Sequence, residues 1–513
     1  MREDHLPLFM LKGIIVVVVA LGLSRSLFLT VIMGGYFKEM AERNIVRTED
    51  LIPIRGVISD KNGRPLVMNI ENNSETVRFY PAGEMAAGIT GYLGKMNENE
   101  VKDCMEDCFP EMSVGKSGLE KSYDKKLRGS AGEIVVEESA SGEIIKEITR
   151  VEAVSGENIA TNIDLDLQKD LFVALKSALE SSGKSAVGVV AKVSGELLAL
   201  VSLPSFDPNL FVSGGRRSDY GGEFKDVAQL IGDDTKKPLF NRAVSGEFAP
   251  GSVYKLVPAL AALAEGKIEK DTLITDTGEI VIGEYRFGNW FLDKYGRTEG
   301  DLNVGKALSR SNDVFFYRLG EKLGVDLLVD WSKRLSLGES TGIDLPGEAL
   351  GLVPSQYWKE KNMGSKWFLG DTYHLSIGQG NLMATPIQIN RMTAAVVSGW
   401  SCDLRLVGRN YCDDLKLPDD DRLVVLEGMR DTCRDGGTAF PLFDYGGKIY
   451  CKTGTAQHGG EKDEPHAWIS VVIPKGEDTK NWLVLTVLVE SGGEGSAVAG
   501  PVAAEIMPYL LGL

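Results

Sequence analysis

The sequence is poor in side chains that hold metals. Four histidines, His5, His374, His458 and His466, are scattered over 513 residues. The six cysteines include no C-x-x-C pair. That spacing argues against a zinc finger or ribbon, and no metal site is expected. An excess of positive charge is also missing: the formal net charge is −17. Such a balance argues against nucleic-acid binding and against a polybasic membrane patch. Low-complexity tracts and short-period repeats are absent, so the length reads as roughly one to three packed domains. Cys104 with Cys108, and Cys402 with Cys412, are close enough to pair if they lie outside the cytosol. Free structural thiols are the other reading.

What the chain does have begins with an apolar run. Residues 13–23 are almost purely apolar, 8–11 precede them, and 27–33 resume after Ser24-Arg25-Ser26. A span of about 20 residues fits one transmembrane helix, with Arg25 near one end where it can snorkel. No small-residue cleavage site follows, so the expectation is an uncleaved anchor. Arg2 and Lys12 precede the span, and Lys38, Arg43 and Arg47 follow it, so flanking charge does not set its orientation.

After the anchor (1–34), residues 35–155 read as a separate region with strand-like alternation at 133–148 and a hairpin signal at Asn62-Gly63. A larger domain runs over 156–513. Thr161-Asn162-Ile163-Asp164 leads into a helix over 165–179. Apolar strands follow at 187–192 and 197–201, joined at Ser194-Gly195. The middle is mostly helical, at 304–335 and 387–397. Strands return at 448–455, 467–473 and 482–489, and 498–511 reads as a closing helix. Strands at both ends with helices between predict one α+β domain whose terminal segments pair in a single sheet.

Three short stretches carry chemistry. Ser252-Val253-Tyr254-Lys255 follows the turn residues Pro250-Gly251 and opens an apolar helix. Ser252 and Lys255 are three apart and share a helix face, so an amine comes within reach of a hydroxyl. A partly buried lysine with a lowered pKa can take the proton that makes serine a nucleophile. Backbone N–H groups at a helix start also suit a developing oxyanion. Pro258 removes one helical hydrogen bond and is expected to bend this helix. Ser311-Asn312-Asp313 opens the next apolar helix, either as a plain cap or as a second hydroxyl that relays a proton. Lys452-Thr453-Gly454 lies on a strand. Lys452 offers charge, Thr453 a hydroxyl for a carboxylate, and Gly454 room for close backbone approach. Each motif alone also fits an ordinary structural role. Together, in this order and on these element types, they are expected to act as one catalytic set.

The set resembles the penicillin-recognising serine transferases. Further stretches are similar to class B penicillin-binding proteins. They are 115–120, Ser202-Leu-Pro-Ser-Phe-Asp-Pro-Asn209, Gly370-Asp-Thr372, Gly378-Gln-Gly380, Ala384-Thr-Pro-Ile-Gln388, His466-Ala-Trp468 and, near the membrane, 55–63. Ser311-Asn-Asp-Val-Phe-Phe-Tyr317 resembles the elongation type, in which Asp often replaces the Asn of division enzymes; Thr341-Gly-Ile-Asp-Leu345 agrees.

The resemblance implies an α+β transferase fold: a central antiparallel sheet with helices on both faces. It adds an elongated β-rich pedestal of the dimerisation type and one N-terminal transmembrane helix. It implies peptidoglycan D,D-transpeptidation, with Ser252 as nucleophile and Lys255 as its base. Ser311 would pass the proton on, and Asp313 would orient Lys255 or the substrate amide. Lys452 and Thr453 would hold the terminal carboxylate, with Gly454 and Thr455 lining the same strand. The N–H groups of Ser252 and Thr455 would form the oxyanion hole. No cofactor is implied. The partners implied are stem peptides, β-lactams and a membrane-embedded SEDS-type glycan polymerase reached through anchor and pedestal. The catalytic domain would lie outside the cytoplasmic membrane. The alternatives are a division- or sporulation-type enzyme, a β-lactamase-like or antibiotic-sensing relative, and a catalytically silent scaffold.

Overall fold

The computed structural model describes residues 6–43, 46–72, 75–103, 112–138, 144–213, 217–460 and 463–512. The Cys104/Cys108 pairing lies outside them. The chain forms two compact units, and their boundaries cut across chain order. One comprises Met1–Arg55, Met96–Met112 and Arg128–Gly156; the other comprises Gly56–Lys95, Ser113–Leu127 and Glu157–Leu513.

The smaller unit begins with a helix over Leu6–Leu27, a π-helical turn Phe28–Ile32 and a helix Gly34–Arg43. Leu8–Ile32 is 25 residues long with mean hydropathy 2.4, long and apolar enough to cross a membrane. Three antiparallel strands follow, Val46–Leu51, Gly132–Glu138 and Ile144–Val151, with Gly132–Glu138 in the middle.

In the larger unit, the chain enters through Ile58–Ser59, which pairs antiparallel with Pro65–Asn72 and parallel with Ile159–Ala160. Gly63 takes φ +82° in the intervening turn, the left-handed conformation that an Asn-Gly signal predicts. Asp164 then caps helix α1 (Leu165–Ser181), its carboxylate accepting from the N–H groups of Asp166 and Leu167.

The central sheet contains β1 (Ser185–Lys192), β2 (Leu197–Leu203), β3 (Tyr450–Ala456), β4 (His466–Ile473) and β5 (Leu483–Glu490). Its order is β2-β1-β5-β4-β3, antiparallel throughout. The expected closure holds: β1 pairs with β5, Ser185 opposite Glu490 and Lys192 opposite Leu483.

The inner strands β1, β5 and β4 are largely apolar on both faces because helices cover both. Ile469, Val471, Leu485 and Val487 pack with Leu171 and Leu175 of α1 and with Val502 and Ile506 of the closing helix Ala499–Leu511. Trp468, Val472, Val484 and Leu488 face the other way, into a core with α2 (Leu256–Ala264). Every residue of α2 from Leu256 to Leu263 is buried, which explains a helix apolar all round. Three further helices of this unit are α3 (Asp313–Arg334), α4 (Pro386–Ser398) and α5 (Asp419–Thr432). Cys402 is disulfide-bonded to Cys412, one of the two expected pairs. A second disulfide, Cys433–Cys451, joins the end of α5 to β3.

Candidate active site

The nucleophile candidate stands on a tight turn. Gly251–Lys255 is a 3-10 helix that changes to α geometry at Leu256, so Ser252 lies in the tighter segment rather than in an α-helix. Pro258 falls two residues beyond that change. Gly251 sets up the turn: its φ is +55°, and a Cβ there would lie 2.7 Å from the Thr455 carbonyl oxygen. Its N–H donates to the Gly378 carbonyl at 2.8 Å. Gly378 is equally constrained, since a Cβ there would lie 2.1 Å from the Gly251 carbonyl oxygen. The Gly378-Gln379-Gly380 segment therefore backs the Ser252 turn. The Trp468 indole N–H braces the same turn by donating to the Ala249 carbonyl at 3.0 Å.

Lys255 points into the protein and is fully buried. Its Nζ donates to the Ser311 carbonyl at 2.8 Å and to Asp313 Oδ1 at 2.7 Å, with Ser311 Oγ at 3.4 Å. The Phe316 ring centroid lies 5.3 Å away. Ser311 can face both lysines because it takes a left-handed φ of +53° between its two helices. Lys452, also fully buried, donates to Ser311 Oγ and to the Thr453 carbonyl, both at 2.9 Å. Burial pushes the Lys255 pKa down while Asp313 pulls it up. Lys452 is held well below the ordinary lysine range, first by burial and then by repulsion from Lys255.

Along β3, the Thr453 hydroxyl lies 2.7 Å from that of Thr438. Thr455 Oγ1 accepts from the Gly495 N–H at 3.2 Å, and its carbonyl accepts from the Gln379 amide at 3.4 Å. The room left by Gly454 is taken by this chain itself: a Cβ there would lie 3.0 Å from Trp468, 3.1 Å from the Pro250 carbonyl and 3.1 Å from Val253. Hydrogen bonds thus link Lys255, Ser311, Asp313 and Lys452. Gly251 and Gly454 seat the Ser252 turn against the strand that holds Thr453 and Thr455.

Several contributors escaped the sequence reading. Thr438 and Gly495 sit in loops without a motif. The Asn289-Trp290 step holds Asp313, with the Asn289 Oδ1 accepting from the Asp313 N–H at 3.2 Å and the Trp290 N–H donating to Asp313 Oδ2 at 3.4 Å. The signal that could have found it is an Asn placed just before a short apolar helix.

The profile of the penicillin binding protein transpeptidase domain matches residues 185–508, and that of the penicillin-binding protein dimerisation domain matches residues 69–161. The peptidoglycan D,D-transpeptidase MrdA of Haemophilus influenzae is 34% identical over 472 residues, covering 85% of this chain and 69% of that protein. MrdA of Acinetobacter baumannii is 33% identical over 404 residues, covering 75% of this chain and 57% of its relative. The chain belongs to the class B penicillin-binding proteins, as peptidoglycan D,D-transpeptidases of the elongation type. A chain from a solved peptidoglycan synthase complex that coordinates polymerization and crosslinking superposes with a TM-score of 0.79, at 28% identity over 99% of both chains. The expected family, subtype and transferase fold are all borne out.

Proposed function

We propose that Ser252 is the nucleophile of this class B penicillin-binding protein and attacks the penultimate D-Ala carbonyl of a stem peptide. The observation that carries this reading is the bonded set Lys452, Ser311, Lys255 and Asp313 behind the Ser252 turn. Burial favours a neutral Lys255. A neutral amine keeps two N–H groups, enough for Asp313 and the Ser311 carbonyl, and leaves a lone pair for the Ser252 proton.

In acylation the Ser252 Oγ–carbonyl bond forms and the bond to the terminal D-Ala nitrogen breaks. The proton passes from Ser252 to Lys255 and, through the Ser311 hydroxyl, to the departing amine. The amine of a second strand then attacks the ester and gives up a proton along the same groups, and Ser252 leaves as a hydroxyl. Lys452 and Thr453 hold the terminal carboxylate. The N–H groups of Ser252 and Thr455 receive the oxyanion, where loss of one donor typically costs about 10²–10³ in rate. Gly454 lets the Ser252 turn approach that strand.

The division of the chain into anchor (1–34), pedestal (35–155) and catalytic domain (156–513) completes the proposal. The apolar helix over Leu8–Ile32 supports a single-pass anchor in the cytoplasmic membrane. Two disulfides favour an oxidising, extracytoplasmic setting for the catalytic domain. The likeness to a chain of a peptidoglycan synthase complex supports a SEDS-type glycan polymerase as partner, met through anchor and pedestal. β-Lactams, which mimic the peptide end, would acylate Ser252. Labelling with a fluorescent penicillin tests the assignment. The intact protein should take the tag and Ser252→Ala should not; an untagged intact protein would overturn it in favour of a scaffold.

A further inference from the structure

Between the Ser252 helix and Ser311 the chain builds a small module over 274–302. It contains two short antiparallel pairs, Ile274–Asp276 with Gly300–Leu302 and Glu279–Ile282 with Tyr285–Gly288, and a helix Trp290–Tyr295. Nothing in the mechanism above uses it. Yet its buried polar groups converge on one catalytic residue.

Asn289 is fully buried and completely engaged. Its backbone N–H donates to the Gly278 carbonyl at 2.8 Å, and its Nδ2 donates to Asp276 Oδ2 at 3.1 Å. Asp276 also accepts from the N–H groups of Gly278 and Glu299. A carboxylate only accepts, so it dictates that the amide nitrogen of Asn289 faces it. The amide oxygen is thereby aimed at the Asp313 N–H. That N–H stands at the first residue of α3, where no intrahelical partner exists. The next peptide adds a second restraint, the Trp290 N–H on Asp313 Oδ2. The Trp290 indole donates to the Arg310 carbonyl at 3.1 Å and pins this segment beside Ser311.

We propose that Asn289 is a positioning residue: with the Trp290 N–H it fixes the Asp313 carboxylate against Lys255. It touches no reacting atom and acts only through Asp313. The inference rests on the roles assigned above to Lys255 and Asp313.

The pH dependence follows from the surroundings of the pair. The groups facing it are Lys452 from β3, Glu299 bonded to Arg310, and Tyr317 of α3, with Asp293 acting on Tyr317 and Asp276 on Asn289 and the Glu299 N–H behind them. Asp313 in place holds the Lys255 ammonium; Asp313 released lets Lys255 lose its proton at lower pH. Asn289→Ala should therefore move the acidic limb of penicillin acylation to lower pH and reduce the plateau rate by about tenfold. A helix cap with no catalytic consequence would lower the rate or the stability and leave the limb in place.

The experiment measures the rate of Ser252 acylation against pH for the full chain, Asn289→Ala, Asp313→Asn and the double variant. The expected result is a downward shift in Asn289→Ala that adds nothing in the Asp313→Asn background. A limb that stays put, or that shifts equally in both backgrounds, overturns the proposal. Asp276→Asn keeps shape but no longer dictates the Asn289 amide, and should shift the limb in the same direction. If Asn289→Ala does not fold, an unmoved limb in Asp276→Asn overturns the proposal instead. An intact protein that never acylates at Ser252 would defeat the assigned mechanism, an outcome distinct from an unmoved limb in an acylating variant.

Discussion

Lys255 Nζ and Asp313 Oδ1 lie 2.7 Å apart, with Lys255 wholly buried. The two effects on Lys255 oppose each other: burial favours the neutral amine, and Asp313 favours the ammonium. Asp313→Asn keeps the shape and removes the charge. The Lys255 pKa should fall, and the acidic limb of penicillin acylation should move to lower pH. An upward shift in the pH–rate profile would contradict the proposed base.

Lys452 supplies a stability prediction. Its folded-state pKa is depressed, so between that value and the ordinary lysine pKa the unfolded chain binds more protons than the folded one. This residue's contribution to stability therefore rises with pH through that window and levels off above the ordinary lysine value. Lys452→Met removes the titrating group. Denaturation midpoints across the alkaline range should lose that rise in the variant; parallel curves for both proteins would contradict it.

Gly251→Ala should cripple the site. The position combines φ +55° with a Cβ path that ends on the Thr455 carbonyl oxygen. Left-handed strain alone costs about 1–3 kcal/mol in a non-glycine residue. Pushing the Ser252 turn away from β3 should also lower the acylation rate by about 10²-fold. A variant with ordinary acylation would show that the turn is less constrained than this packing requires.

Cys433–Cys451 closes a loop of sequence separation 18 that contains Thr438, and Cys451 precedes Lys452. Chain-entropy arguments give such a loop about 3 kcal/mol. The double Ser variant should lose about that much in urea denaturation. It should also acylate more slowly, because Thr438 and Lys452 flank the bond. Mass spectrometry of the unreduced protein checks the bond itself.

Much of this site is legible in the chain because its chemistry is carried by unusual residue combinations. Ser252 with Lys255, Ser311 with Asp313, and Lys452 with Thr453 are each ordinary alone and stand out as a set, in this order, through the family they resemble. The sheet is legible too, since 187–192 and 482–489 are apolar apart from Lys192 at the end of one and Thr486 within the other, as expected of strands covered on both faces. Asn289 and Thr438 are common polar residues whose importance comes only from what folds against them. The Cys433–Cys451 bond joins a helix end to a strand, and no local pattern signals that approach. The 3-10 turn that carries Ser252 packs at Gly251 against Thr455, a contact made far along the chain.

The pairing of β1 with β5 has a consequence for biosynthesis. A strand near residue 190 waits for one near residue 487, and β4 and β3 dock only beyond that late arrival. Nascent chains interrupted before the final strand lack the wall that bears Lys452, whatever their Ser252 is doing. Covalent capture by penicillin thus doubles as a proofreading signal: it should mark molecules that include β5 and pass over products interrupted before it.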